Sequence, residues 1–278
     1  MHSARTTLVP DRELGVEAYL FQSFVRPFAR HFHAHYVFSL VEEGSRTLRC
    51  AGRVWHLCRD HVLLINPGEN HGCEASREEA ITYLSLSVPV PVMEHWAGAA
   101  GLDALPSFAP SAVNDADLAG CLRLLHASIL QAEPPLRRKE LLGYLLFTAM
   151  ERYARPASDG APAGREEIER ACRYLEQNFR EHILLDELCA HFNLSKSTLL
   201  RGFLNARGVT PHQYLTNIRI AAARKLLEEG VAPGDVAAQT GFVDQSHFSR
   251  AFTGFIGIPP GLYREMFAHG QTALSKHA

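Results

Sequence analysis

The stretch that decides the fold is Leu194-Ser-Lys-Ser-Thr-Leu-Leu-Arg-Gly-Phe203, because it returns as Val243-Asp-Gln-Ser-His-Phe-Ser-Arg-Ala-Phe252. Both copies run apolar residue, capping residue, three polar or basic residues, apolar residue, spacer, Arg, spacer, Phe. Two matched copies predict two equivalent helices that read a duplex together. Ser195 and Asp244 are the N-caps, since a short side-chain oxygen accepts from an unpaired N–H of the first turn. Gly208 predicts a left-handed stop for the first helix. Thr210-Pro211-His212-Gln213 then opens a long helix: Thr210 caps, Pro211 takes the first helical position and Gln213 completes a capping box. That helix carries Tyr214, Ile218, Ala221, Ala222, Leu226 and Leu227 and ends near Gly230.

Each copy has the parts of a helix-turn-helix unit. A short helix (Asp186–Phe192, or Asp235–Gln239) precedes the turn at Asn193-Leu194 or Thr240-Gly241-Phe242, and a capped helix follows. In this motif the N-terminal residues of the second helix reach base edges in the major groove. Lys196, Ser197, Thr198 and Arg201 occupy that end of the first copy, and Gln245, Ser246, His247 and Arg250 that of the second. They supply the donors and acceptors that groove readout needs. Any one of Ser197, Thr198 or Ser246 reads as a cap or solvated residue ahead of a base reader, and Arg201 and Arg250 read equally as phosphate or base contacts and as partners of intradomain pairs. Leu199, Phe203, Phe248 and Phe252 are expected to pack the helices onto their bundles. The caps stand 49 residues apart. The connector Thr210–Glu229 spans roughly 28 Å at ~1.5 Å per residue, against about 34 Å between successive major grooves. One chain would then cover adjacent grooves, with slight bending of the DNA.

Upstream, Ala154 to Gly164 holds two prolines, two glycines and no large apolar residue, and reads as a linker. Residues 18–88 read as short strands: Tyr36–Val41, Arg46–Cys50, Val54–Leu57, Val62–Ile65 closed by Asn66-Pro67-Gly68, and an alternating Ile81–Val88. Closely spaced strands with turns between them imply an antiparallel barrel or sandwich. Leu118, Leu122, Leu125 and Ile129 recur at helical spacing in a helix that stops before Pro134-Pro135, and a second helix runs to about Tyr153. This helical hairpin either packs on the barrel or serves as a dimer seam. The segments are therefore 1–110 (barrel), 111–153 (hairpin), 154–164 (linker) and 165–268 (helical domain), with the helix-turn-helix units at about 186–205 and 235–254.

Length and composition agree. At 278 residues the chain has room for two domains, and 46% hydrophobic with 21% charged residues is a globular composition. No run of about 18 apolar residues occurs, so no membrane span is expected. No secretory signal is visible, so the six cysteines, without a C-x-x-C, read as reduced thiols of a cytoplasmic protein. The net charge of −2 divides into +1 for residues 165–278 and −3 for residues 1–164, a weak bias toward DNA for the C-terminal part.

The segment Leu185–Arg264 resembles the DNA-binding domain of AraC/XylS transcription regulators. The match includes Leu188-Cys189-Ala190, Ser195 to Arg201, Gly208, Pro211-His212-Gln213-Tyr214, Arg219, Ala222, Leu226-Leu227, Gly241-Phe242, Ser246, Phe248 to Phe252, Gly257, Pro259 and Tyr263-Arg264. The resemblance implies a two-domain regulator. A cupin-like antiparallel β domain with a helical hairpin would bind a small-molecule effector or dimerise. An all-α domain with two helix-turn-helix motifs joined by a long helix would bind promoter DNA. It further implies an activator that contacts RNA polymerase, a homodimer, no catalytic residue and no cofactor. The family often places Lys after the helix phenylalanine. Here Phe203 is followed by Leu204-Asn205 and Phe252 by Thr253-Gly254, which predicts fewer phosphate contacts and a shallow salt dependence.

His31-Phe32-His33-Ala34-His35 and Pro67-Gly68-Glu69-Asn70-His71 look like a degenerate cupin motif. Read as one strand, His31, His33 and His35 share a face, and with His71 they are the candidate effector-binding residues. A metal held by His33, His35 and His71 is the alternative, although Ser39 stands where a metal-binding cupin would carry Glu. A metal-dependent cupin enzyme with an accessory helical domain is accordingly the rival to the regulator. Cys50, Cys58 and Cys73 read as structural thiols.

Overall fold

The computed structural model describes residues 5–75, 80–155, 165–269 and 273–276. The linker expected at 154–164 therefore lies, from residue 156 on, outside the described residues. In chain order the elements are β1 (Arg5–Asp11), β2 (Val16–Phe24), β3 (Phe28–His31), β4 (Tyr36–Glu43), β5 (Arg46–Cys50), β6 (Arg53–Leu57), β7 (His61–Ile65), β8 (His71–Ala75) and β9 (Ile81–Val88). Then come α1 (Val90–Ala99), β10 (Ser107–Phe108), β11 (Ala112–Asn114), α2 (Ala116–Leu130), α3 (Pro135–Tyr153) and β12 (Ala154–Arg155). The remainder is α4 (Arg165–Gln177), α5 (Leu185–Phe192), α6 (Lys196–Arg207), α7 (Pro211–Glu228), α8 (Pro233–Gln239), α9 (Gln245–Ile256), α10 (Pro260–His269) and β13 (Ala273–Lys276). The chain divides into two compact units, one built on the sheets with α1–α3, the other on α4–α10 together with residues 29–32.

In the first unit a seven-stranded antiparallel sheet runs β11-β7-β4-β9-β2-β1-β13, and β8, β5 and β6 pair in that order in a second sheet. Side chains alternate along a strand, and the two faces of the large sheet have different jobs. Tyr36, Phe38 and Leu40 of β4 and Leu84, Leu86 and Val88 of β9 share one core with Met93, Leu118, Leu122, Leu125, Leu142, Leu145 and Leu146 of the three helices. The helical hairpin thus packs on the sheet. On the opposite face Ser39 and Ser85 pair across the ladder, hydroxyl to hydroxyl at 2.9 Å, and both are buried along with Ser87. The alternation of β9 therefore separates an apolar buried face from a polar buried one. Asp115 caps α2, accepting from the N–H groups of Asp117 and Leu118, and binds Arg152 (2.9 Å) and the Tyr153 hydroxyl (2.7 Å) of α3. One carboxylate fixes both ends of the hairpin.

Strand β1 and helix α1 were not foreseen. Pro91 lies in the first turn of α1, where its missing N–H costs nothing.

In the second unit Leu199 and Phe203 of α6 are fully buried with Ile168, Cys172, Leu188 and Tyr214, and Phe248 and Phe252 of α9 are as deeply buried in their own bundle. Arg219 of α7 donates to the carbonyls of Phe179 and Glu181, both at 2.8 Å, and its guanidinium lies 5.9 Å from the Phe242 ring centroid. The long helix is thereby fastened to the segment after α4 and to the turn of the second copy. Among the described residues no helix is long and apolar enough to cross a membrane.

Candidate functional site

The first repeated helix, α6, begins where the sequence placed it. Asn193, left-handed at φ 51°, ends α5. Ser195 Oγ then accepts from the Thr198 N–H at 3.2 Å, and lies 3.1 Å from Ser197 Oγ and 2.8 Å from Thr198 Oγ1. Three hydroxyls therefore gather on one cap. Ser197 and Thr198 are exposed but turned to their own helix end, so reading a base would require rotation about χ1. Lys196 is ion-paired at 2.5 Å with Asp186, in the first turn of α5. The hydrogen bond to that carboxylate raises its pKa. Both side chains are exposed, which makes the pair weak and easily exchanged for a phosphate. Arg201 is exposed, with its Nε donating to the Ser197 carbonyl at 3.2 Å.

The second repeated helix, α9, has a different entry. Helix α8 starts two residues earlier than expected, at Pro233. Gly241, at φ 76°, makes the turn, and Asp244 accepts from the His247 N–H at 2.7 Å. Gln245, Ser246 and Arg250 are exposed. His247 is half-buried, its ring edge-on to Phe242 with centroids 5.4 Å apart, so it serves packing as well as the surface. Between the copies, α7 carries the predicted capping box: Gln213 N–H donates to Thr210 Oγ1 at 3.3 Å and Thr210 N–H to Gln213 Oε1 at 3.0 Å. The part played by Asp186 was not foreseen; its position in the first turn of the preceding helix was the available signal.

The histidines are arranged differently from a single strand face. Strand β3 ends at His31, so His33 and His35 lie in the connection to β4, and His71 opens β8. The His33 ring stands 5.1 Å from that of His71, centroid to centroid. The His35 ring stands 4.8 Å from that of His33 on the same measure. His71 Nδ1 faces the Glu69 carbonyl at 2.9 Å and donates to it, since a carbonyl can only accept. Ser39, at the position of the missing carboxylate, is committed to Ser85. Burial raises the pKa of the Cys50 thiol to about 12 and that of Cys73 to about 11, as structural thiols require.

A sheet-and-helix domain followed by two capped helix-turn-helix units on one long connector defines a two-domain transcription regulator. A family model for an AraC-like ligand-binding domain matches residues 15–146, and a helix-turn-helix domain model matches residues 188–266. The Bacillus subtilis regulator YbfI, described as an uncharacterised HTH-type transcriptional regulator, is 34% identical over 249 residues, covering 89% of this chain and 90% of that one. The lactose operon transcription activator of Staphylococcus xylosus is 24% identical over 246 residues, covering 84% of each. The crystal structure of ToxT from Vibrio cholerae aligns with a TM-score of 0.54 at 14% identity, over 91% of this chain and 98% of that one, a likeness of fold. The chain belongs to the AraC family of transcriptional regulators. The cupin-enzyme alternative is not favoured, since these relatives are regulators of gene expression.

Proposed function

We propose that the protein is an effector-responsive, DNA-sequence-specific activator that reads its promoter with α6 and α9 in adjacent major grooves. Lys196, Ser197, Thr198 and Arg201 would face one groove and Gln245, Ser246, His247 and Arg250 the next. The observation that carries this reading is the pair of side-chain-capped helices with exposed polar N-terminal ends, held apart by the 18-residue helix α7. Such ends offer donors to bases and a favourable dipole to phosphates. Arg201→Ala and Arg250→Ala should each weaken binding to the cognate site by about 1–3 kcal/mol if they contact bases. Titration against a footprinted promoter fragment checks this. Unchanged affinity in both variants defeats the assignment of the reading helices.

The buried polar face of Ser39, Ser85 and Ser87, together with His33, His35 and His71, supports ligand binding by the first unit. The related S. xylosus activator is named for a lactose operon. A small organic effector, a homodimer and contact with RNA polymerase in the cytoplasm complete the reading. A thermal-shift screen of sugars, acids and amino acids tests the effector, since a ligand of the native state raises the melting temperature. Sedimentation tests the dimer. Exposed Leu124, Leu136, Tyr144 and Phe147 on the hairpin offer it an apolar surface.

A further inference from the structure

We propose that Asp186 is a positioning residue for DNA binding: it holds the Lys196 ammonium as an internal substitute for a DNA phosphate and releases it when the backbone arrives. The proposal rests on the reading of α6 as a recognition helix and lies wholly within the second unit. Lys196 is the first residue of α6 and Asp186 stands in the first turn of α5, with Lys196 Nζ 2.5 Å from the carboxylate. In a helix-turn-helix the second helix enters the major groove by its N-terminal end while the first crosses the backbone. The pair therefore sits where phosphates would pass.

The fold does not depend on this carboxylate. An acid in the first turn favours the helix dipole, but the neighbouring Glu187 already fills that role, its Oε2 accepting from the Leu184 N–H at 3.0 Å. The side chains of Lys196 and Asp186 are 60% and 71% exposed, so water and a phosphate can reach both. The second copy sharpens the point. Asp235, in the first turn of α8, stands nine residues before the cap Asp244, as Asp186 stands nine before the cap Ser195. The place of Lys196 is there taken by Gln245, which carries no charge. Both copies have the acid, and only the first has its cation.

An exposed ion pair favours contact over separation by about fivefold or less, and a lysine binds phosphate as a point charge. The exchange is therefore close to balanced. In the free protein the two charges cancel, and Lys196 adds little to the attraction of any DNA. In the complex the ammonium passes to a phosphate oxygen, and a counterion takes its place at the uncovered carboxylate. Fewer ions are then released than the ~0.9 per phosphate contact expected of an unpaired lysine on B-DNA. Asp186 lowers the sequence-independent part of the affinity and leaves recognition to the base contacts.

Fluorescence anisotropy with the full-length protein tests this, on a footprinted promoter fragment and a scrambled fragment of equal length, over a series of salt concentrations. Asp186→Asn should tighten binding to both fragments by about two- to fivefold at low salt and steepen the salt dependence by up to about one ion. Lys196→Gln should weaken binding to both, and in that background Asp186→Asn should change neither affinity nor slope. Asp235→Asn removes the same charge without a lysine partner and should have the smaller effect. Asp186→Ser, equally uncharged, repeats the measurement if the Asn variant fails to fold. Weaker or unchanged binding by Asp186→Asn, an undiminished effect of it once Lys196 is replaced, or an equal effect from Asp235→Asn would each overturn the proposal. So would unaltered affinity of Lys196→Gln, in which case Arg201→Ala still decides the reading of α6.

Discussion

In the first helix-turn-helix copy the reading helix is capped by Ser195, a neutral hydroxyl, and continues with Lys196; in the second it is capped by Asp244, an anion, and continues with Gln245. The interiors of the two copies match closely. Leu199 and Phe203 in one, Phe248 and Phe252 in the other, are buried to the same degree, and left-handed glycines, Gly208 at φ 66° and Gly257 at φ 86°, end both helices. The leading apolar residue differs: Leu194 packs against the first bundle, whereas Val243 is 80% exposed. The difference teaches which parts of the motif the fold dictates. Caps, stops and inward phenylalanines make the helix and are kept in both copies. Charge at the outward end is not shared by the two copies and is free to suit a different half of the DNA site.

The largest expected effect tests the shared interior. Phe203→Ala and Phe252→Ala should each destabilise the protein by about 3–5 kcal/mol, the usual cost of deleting a fully buried aromatic ring. Urea unfolding monitored on the second unit would show it. A cost in one copy far below that in the other would break the structural equivalence. Next in size is the turn. Gly241 has φ 76°, and a Cβ there would lie 2.7 Å from the Arg180 carbonyl oxygen and 2.8 Å from that of Phe179, which already accepts from Arg219. Gly241→Ala should therefore cost more than about 1 kcal/mol, since the backbone is left-handed and has no room to yield. At the first copy's turn Asn193 is also left-handed, with a side chain already accommodated. Asn193→Gly should change stability by only a few tenths of a kcal/mol, and a cost matching that of Gly241→Ala would contradict the difference in space.

Most of the second unit was legible from sequence because its signals are local. Ser195, Thr210 with Gln213, and Asp244 cap neighbouring N–H groups, and the glycine stops follow from backbone sterics alone. In the first unit the strands from β4 to β7, and β9, were legible from their turns. The N-terminal strand β1 was not, because its pairing with β2 is settled by tertiary contact. Nor was α1, which starts without a side-chain cap hydrogen bond. The histidine group illustrates a further limit. Period-two alternation placed His31, His33 and His35 on one face, but β3 stops at His31, so the chain turns before the alternation can continue. The ion pair of Lys196 with Asp186 joins residues ten apart on two helices, beyond what spacing within one helix reveals.

The smallest expected effect bears most directly on the contrast between the copies. Ser and Asp are nearly equivalent N-caps, so exchanging them should leave folding stability within about 0.5 kcal/mol. DNA affinity should move in opposite directions. Asp244→Ser removes an anion from the end of α9 and should tighten binding. Ser195→Asp places one at the end of α6 and should weaken it. For unit charges roughly 4 Å apart in water the interaction is about 1 kcal/mol, so each change should be several-fold at low ionic strength. It should shrink as salt is added, because screening acts on exposed charges. Fluorescence anisotropy with the cognate fragment at two salt concentrations measures both arms. If Asp244→Ser leaves affinity unchanged while Ser195→Asp weakens it, only the first copy lies against phosphate. The pair would then divide into one reader and one structural support.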